Sequence, residues 1–221
     1  MNNFYELKIL SKEQLKNNWK LPILFSAISL ALSYYASLSN NNSIILSLAI
    51  LLISFYFTKV VINVVEGNAN GSINVPFKHM LRTFGLGILY SLIYFSINML
   101  ALFATSFMLF SGSISLIAGL LMVIPLVLAF IIFNLVAMCY LSMSIYLVYS
   151  KDYKVFKSFK YSILYLKGNL MKTIWLVITF IPWMLLGFIT FGLGFIYIMP
   201  YLEIIFTNYC IDLEGAYRKV A

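Results

Sequence analysis

The chain has 221 residues, of which 62% are hydrophobic and only 10% are charged, and its mean hydropathy is +0.95. A soluble domain carries about 25% charged residues because its surface faces water, so this composition excludes an ordinary soluble protein. The formal net charge of +8 does not indicate nucleic-acid binding, because the basic residues stand between long apolar runs, as they do at the cytoplasmic ends of membrane spans.

Six apolar runs follow a polar N-terminal segment, residues 1–20, which we predict to be a cytoplasmic helix. A helix needs roughly 20 residues to cross a hydrocarbon core of about 30 Å. The first run lacks a clear cleavage site, so we expect a retained helix and not a signal peptide. Pro125 predicts a kink in the fourth run, which is one long helix or two segments. The runs are 21–38, 44–65, 84–110, 114–149, 173–191 and 194–211.

The basic residues fall on one side of these six runs, and the loops on the other side carry no charge. Because cytoplasmic loops are enriched in Lys and Arg, the pattern predicts an all-α integral membrane protein with both termini in the cytoplasm. Its six transmembrane helices would form three hairpins, each preceded by a cytoplasmic amphipathic or basic segment. Fourteen of the fifteen basic residues fit this topology: Lys8, Lys12, Lys16, Lys20, Lys78, Arg82, Lys151, Lys154, Lys157, Lys160, Lys167, Lys172, Arg218 and Lys219.

A weak internal repeat accompanies the hairpins. Leu15-Lys16-Asn17-Asn18 precedes the first hairpin, and the similar Leu166-Lys167-Gly168-Asn169 precedes the third. The segment before the second hairpin is only loosely related to these two. Descent of the three hairpins from one ancestral unit is therefore a hypothesis that the sequence leaves open.

The last hairpin carries the most specific pattern: Pro182-Trp183-Met184-Leu185-Leu186, then Gly192-Leu193-Gly194, then Pro200-Tyr201. With these motifs the chain resembles the bacterial membrane proteins grouped as domain of unknown function 975, found mainly in Gram-positive bacteria. Pro182 departs from the family pattern, in which a glycine is commoner before the tryptophan. The resemblance implies a six-helix protein of the bacterial cell membrane, and it supplies no activity, catalytic residues or cofactor.

Two ionisable residues, Lys59 and Glu203, lie well inside the predicted spans. Each is roughly 9–12 Å from the inner end of its helix at 1.5 Å per residue. Charges at this depth are costly and are candidates for function, and opposite charges at one depth suggest an ion pair. In the alternative interpretation Lys59 extends to the headgroups and Glu203 is protonated and hydrogen-bonded to a neighbouring helix. In both we expect Glu203 to face the bundle interior.

Prolines and asparagines are the other polar features of the spans. Pro182 and Pro200 each remove a backbone hydrogen bond, and broken helices beside an acid are typical of transporter sites. Proline is also ordinary in membrane helices, where neighbouring groups satisfy the backbone. The asparagine side chains are predicted to join helices through hydrogen bonds; they are Asn63, Asn98, Asn134 and Asn208.

The basic residues between the fourth and fifth runs alternate with apolar ones, as in a helix that lies on an anionic leaflet. Ordinary topology determination explains their charge equally well. The residues concerned are Lys151, Lys154, Lys157, Lys160, Lys167 and Lys172.

No catalytic residue, metal site or cofactor is predicted, because the single histidine, His79, has no matched acid or cysteine near it in the sequence. Three function classes stay open. The first is a small accessory or protective protein, of the bacteriocin-immunity or export-partner type. The second is a transporter or lipid-handling protein with a site around Glu203, and the third is a membrane enzyme. The expected partners are anionic inner-leaflet lipids and a membrane protein or a second copy of the chain, but no nucleic acid.

Overall fold

The computed structural model describes residues 4–38, 44–68, 73–110 and 116–220. The regular structure in these ranges is helical, without a strand. The helices are α1 (Phe4–Asn17), α2 (Lys20–Leu38), α3 (Ile44–Val65), α4 (Phe77–Phe110), α5 (Leu116–Lys151), α6 (Val155–Leu166), α7 (Leu170–Ile178), α8 (Ile181–Ile189) and α9 (Phe195–Val220).

Three helical stretches in the described part of the chain are long and apolar enough to cross a bilayer. They are Ile45–Val65, Phe77–Met99 and Leu170–Ile189. The last combines α7 and α8, which are separated by a turn at Thr179 and Phe180. Pro182 lies in the first turn of α8, where its missing N–H costs nothing, so the predicted break falls just before it.

Several helices extend beyond the apolar runs. α4 begins at Phe77, directly after Pro76, so residues 77–83 form its first turns and not a loop. α5 is one helix from Leu116 to Lys151, and Pro125 lies inside it. α9 continues to Val220, nine residues past the predicted end at 211. It continues because Leu213 and Glu214 are buried against the rest of the protein. An apolar run in the sequence indicates only the part of a helix that faces lipid, and the helix itself can extend beyond that run wherever it packs on protein.

The last helices of the three hairpins, α3, α5 and α9, contact one another and form the centre of the bundle. The first helices lie outside them: α2 packs on α3 and α9, α4 packs on α5, and α8 packs on α9. The largest cluster of buried residues joins these inner helices to α1 and α6 and includes Leu15, Leu147, Leu166, Ile204 and Tyr209. The core is therefore concentrated near the C-terminal end of α5 and along α9 from Ile198 to Leu213.

The short helices α1 and α6 have matching buried faces. Leu7, Ser11 and Leu15 are buried on α1, and Ser158, Ser162 and Leu166 are buried on α6, at the same four-residue spacing. α1 packs against α9, the last helix of the third hairpin, and α6 packs against α5, the last helix of the second. This equivalence extends the sequence repeat to the packing. The second hairpin differs, because its leading segment is continuous with α4.

Candidate functional site

A cavity of about 70 Å³ lies between the three inner helices. Each helix lines it with residues at positions i, i+3 and i+4, which fall on one helical face. The lining residues are Thr58, Val61 and Ile62 of α3, Ser142, Ile145 and Tyr146 of α5, and Glu203, Phe206, Thr207 and Cys210 of α9. We call this cavity the central pocket.

The central pocket combines one carboxylate with several hydroxyl groups. Glu203 occupies the first lining position of α9, as Thr58 and Ser142 do on their helices, and Tyr146 and Thr207 follow one turn later. Its volume has room for about two water molecules at ~30 Å³ each. Pockets for drug-sized organic ligands measure about 300–1,000 Å³. The enclosed part of the central pocket is therefore smaller than the usual site for a drug-sized ligand.

The pocket is closed at the C-terminal ends of its helices. On α9 the exposed fraction is 44% at Met199 and only 1% at Cys210, with Glu203 itself exposed and Phe206 half-buried between them. On α5 it falls from 59% at Met138 to 5% at Tyr146. Glu203 thus lines the more open end of the pocket and is itself exposed, so it is not enclosed in the bundle interior as predicted.

The structure does not form the predicted ion pair between Lys59 and Glu203. Ion pairs within 4.0 Å in the described ranges join Asp152 to a basic cluster and Lys151 to Glu214, and neither Lys59 nor Glu203 takes part. Thr58 lines the pocket, and Lys59, the next residue, is rotated by about 100° around the helix at 3.6 residues per turn. The sequence gives the depth of Lys59, but the direction of its side chain depends on helix packing.

A second acid, which the sequence analysis missed, lies one level below the pocket. Glu214 is 5% exposed, and its carboxylate accepts a hydrogen bond from the Tyr146 hydroxyl at 3.2 Å. Lys151 Nζ lies 3.3 Å from the same carboxylate, and Ser150 Oγ donates to the Tyr146 hydroxyl at 3.4 Å. Glu203 and Glu214 are eleven residues apart, a separation that places both on one face of a helix, and this spacing could have revealed Glu214 in the sequence.

The asparagines have different roles. Asn208 Nδ2 donates to Ser11 Oγ at 3.0 Å and to Gln14 Oε1 at 2.7 Å, so it joins α9 to α1 as predicted. Asn63 is buried on α3. Asn98 instead donates to the Tyr94 carbonyl of its own helix at 2.5 Å. This hydrogen bond does not join two helices, contrary to the prediction for Asn98.

A second cavity, of about 320 Å³, lies between α4 and α5. Asn134 lines it together with apolar side chains and with Gly87, Tyr90 and Tyr94. Among the described side chains, neither Pro182 nor Pro200 lines one of these two cavities. Pro200 is buried in α9, and Pro182 lies in the first turn of α8. The side chain of Pro125 lies outside the described residues.

A basic cluster holds Asp152 at the cytoplasmic end predicted from the sequence. Lys78 Nζ and His79 Nε2 lie 2.9 and 2.8 Å from its carboxylate, and Arg82 Nη1 lies 2.6 Å away. The hydrogen bonds from Lys78 and His79, with the charge of Arg82, hold the pKa of Asp152 far below its ordinary value. Asp152 has a φ of 56°, a left-handed conformation that Asp and Asn tolerate better than most residues. The cluster ties the start of α4 to the turn between α5 and α6.

Replacing Asp152 with asparagine should lower the melting temperature at neutral pH, while the left-handed backbone is kept. A depressed pKa in the folded state stabilises the protein fully above the unfolded value of about 3.9, and this stabilisation is lost as pH falls below it. The difference in melting temperature between wild type and variant should therefore begin to narrow near about pH 4 and go on narrowing as pH falls toward the depressed pKa of Asp152. Thermal unfolding in detergent measures it, and a difference that stays constant over this range would contradict the ion cluster.

The basic helix α6 has one face on the protein and one face free. Ser158, Ser162 and Leu166 are buried, whereas Phe156 is 76% exposed and Ile163 is 40% exposed. Lys154, Lys157, Lys160, Lys167 and Lys172 are exposed, and Lys151 is half-buried. Lys157 Nζ also lies 4.2 Å from the centre of the Tyr153 ring. The free face of α6 thus presents both ammonium groups and apolar side chains.

No group of three or more His, Cys, Asp or Glu residues in the described part of the chain could hold a metal ion. The sequence model of one family, described as Protein of unknown function (DUF975), matches residues 1–216 and confirms the resemblance seen in the last hairpin. No curated protein and no solved structure matches the chain.

Proposed function

The chain belongs to the family described as Protein of unknown function (DUF975), and we propose that it is a proton-coupled membrane protein of the transporter type, whose central pocket binds a proton at Glu203. The family description assigns no activity, so the proposal rests on the pocket. It develops the second class left open by the sequence, the transporter with a site around Glu203.

One observation carries the proposal: a carboxylate and several hydroxyl groups line a small cavity beside a proposed membrane span. Glu203 shares the pocket with Thr58, Val61 and Ile62, which belong to the span Ile45–Val65. Ionisable side chains at this depth are costly and mark ion or proton pathways. Because the cavity holds only about two waters, the group exchanged there is of proton or small-cation size.

In this proposal the chain has six transmembrane helices in a bacterial cell membrane, with both termini in the cytoplasm. Contacts that join the predicted cytoplasmic segments support the topology. Asp152 at the end of α5 binds the start of α4, Lys151 pairs with Glu214 of α9, and Gln14 of α1 donates to the Val65 carbonyl at 3.4 Å. A cysteine in place of exposed Lys160 should accordingly react with an impermeant maleimide from the cytoplasmic side only.

Anionic lipids of the inner leaflet are the proposed partners of α6. Its free face combines Phe156 and Ile163 with neighbouring lysines, and each Lys near an anionic surface contributes about 1 kcal/mol of attraction. This interaction would place α6 in the headgroup region beside the cytoplasmic ends of α4 and α5.

The second candidate is an accessory or protective protein, of the bacteriocin-immunity or export-partner type, that contacts a membrane protein or a second copy. The exposed side chains of α7 and α8 favour it, among them Trp175, Phe188 and Ile189, because they leave a wide apolar face. Loss of an immunity or export phenotype in Trp175→Ala, together with a wild type that carries no proton flux, would select this candidate over proton coupling.

The test of the proposed function is proton binding and flux in purified protein. Infrared difference spectra in lipid nanodiscs should show one carboxyl group that titrates within the membrane, and Glu203→Gln should remove its band. In vesicles with an imposed membrane potential, the wild type should take up protons, and Glu203→Gln should reduce uptake to that of protein-free vesicles.

Glu13→Gln, which changes an exposed acid on α1, is the matched control and should behave as the wild type. Wild-type vesicles without proton uptake would overturn the proposal. Uptake that requires added sodium would also overturn it, in favour of cation coupling.

A further inference from the structure

We infer that Tyr146, Glu214 and Lys151 form a proton relay that connects the central pocket to the cytoplasmic face. The inference rests on the proposed function, because it supplies the path by which a proton bound at Glu203 leaves the pocket. Neither the sequence pattern nor the family description assigns a role to these three residues.

Tyr146 is the link between the two sites. Its side chain lines the central pocket with Glu203, and its hydroxyl donates to the Glu214 carboxylate at 3.2 Å. Ser142, Tyr146 and Ser150 recur at four-residue spacing and so form a hydroxyl-bearing stripe on one face of α5. On α9, Glu203, Thr207 and Glu214 share one face in the same way. The two stripes face each other from the pocket to the end of the bundle.

Burial decreases along the path beyond the pocket floor. Tyr146 and Glu214 are each 5% exposed, and the side chain of Lys151, which pairs with Glu214 at 3.3 Å, is 31% exposed. Glu214 is therefore shielded from water except through its basic partner at the bundle end. This placement fits an acid that receives a proton from inside and releases it to the cytoplasm.

The proton balance of the relay is simple. The carboxylic acid of Glu203 gives its proton through water in the pocket to the Tyr146 oxygen, while the original Tyr146 proton passes along its hydrogen bond to the Glu214 carboxylate. The O–H bond of Glu203 breaks, that of Glu214 forms, and Tyr146 is left neutral. Glu214 then releases the proton to cytoplasmic water and becomes again the anion that Lys151 attracts. One proton enters and one leaves, and no oxidant or further reactant is required.

A purely structural role for Glu214 and Lys151, as a buried ion pair, is the competing explanation. It predicts that loss of the Tyr146 hydroxyl leaves proton flux unchanged. Tyr149→Phe is a matched control, because Tyr149 is equally buried on the same helix but its hydroxyl donates to the Phe55 carbonyl at 3.4 Å instead of to an acid.

The experiment measures proton flux in vesicles and Glu203 titration in nanodiscs for Tyr146→Phe, Glu214→Gln and Tyr149→Phe. We expect Tyr146→Phe and Glu214→Gln to slow the flux about fivefold or more, as loss of one hydrogen bond in the rate-limiting path would. Glu203 should still titrate in both variants, and Tyr149→Phe should carry protons at the wild-type rate.

Wild-type flux in both Tyr146→Phe and Glu214→Gln would overturn the relay and leave the proposed function intact, provided Glu203→Gln is still inactive. Equal slowing in Tyr149→Phe would also overturn it, because the effect would then come from packing. If Glu214→Gln fails to fold, Tyr146→Phe still decides, since it removes no charge. A wild type without flux would overturn the proposed function and the relay together.

Discussion

Replacing Gly187 with alanine should destabilise the protein by about 1–3 kcal/mol, the usual range for an overpacked contact. Gly187 is buried where α8 meets α9, and a methyl group there would lie 2.5–2.8 Å from three ring carbons of Phe195. The ring is itself held edge-on against Phe188, with centroids 5.3 Å apart. Either the ring or the helix must move, and the melting temperature in detergent should fall accordingly.

Gly87→Ala provides the control with the opposite expected sign. A methyl group at Gly87 meets nothing within 4 Å, because this residue borders the cavity between α4 and α5. Alanine is more favourable than glycine inside a helix by about 1 kcal/mol, so this variant should be slightly more stable than the wild type. A Gly187→Ala protein that melts at or above the wild-type temperature would contradict the close packing of α8 on α9.

Replacing Asn208 with alanine should lower the free energy of unfolding by about 1–3 kcal/mol, because two hydrogen bonds to α1 are lost. Ser11, one of the acceptors, is completely buried and would lose its amide partner. The effect should be non-additive with Ser11→Ala, since the two residues contact each other. Chemical or thermal unfolding in detergent measures the free-energy change.

Asn98→Ala is the matched control, because the Asn98 amide donates to the Tyr94 carbonyl, which belongs to its own helix. Its loss should change the stability by less than about 0.5 kcal/mol, because no contact between helices is lost. Equal effects at Asn98 and Asn208 would show that the bond to α1 contributes nothing specific.

The course of the chain could largely be predicted from its apolar runs, and the extensions of α4 and α9 beyond these runs share one cause. α3 has the predicted bounds of 44–65, because both of its ends coincide with the limits of an apolar run. α4 and α9 extend further because their polar turns are stabilised by protein contacts, such as Arg82 with Asp152 and Lys151 with Glu214. The hydropathy of a segment predicts whether that segment is surrounded by lipid or by water, and it does not predict ion pairs such as these.

The candidate site was only partly accessible from the sequence. Glu203 was identified by its depth, which a sequence specifies. Its neighbours depend on which helices meet, and the meeting of α3, α5 and α9 follows from packing that the chain order does not determine. For this reason the expected partner Lys59 was wrong, while Tyr146 and Glu214 were overlooked: the first resembled an ordinary aromatic residue of a span, and the second stood beyond the predicted end of one.

The contact of α1 with α9 also sets the time at which the protein can be completed. Ser11 and Asn208 are separated by 197 residues, so the N-terminal helix is synthesised long before its partner. At about 5–20 residues per second, a ribosome needs on the order of 10–40 s to reach the second residue from the first. During that interval the buried face of α1 has no α9 to pack on, and the third wall of the central pocket does not exist. The bundle must therefore close after α9 has been synthesised, and a chain truncated before α9 would leave α1 with its contact to α3, where Gln14 donates to the Val65 carbonyl.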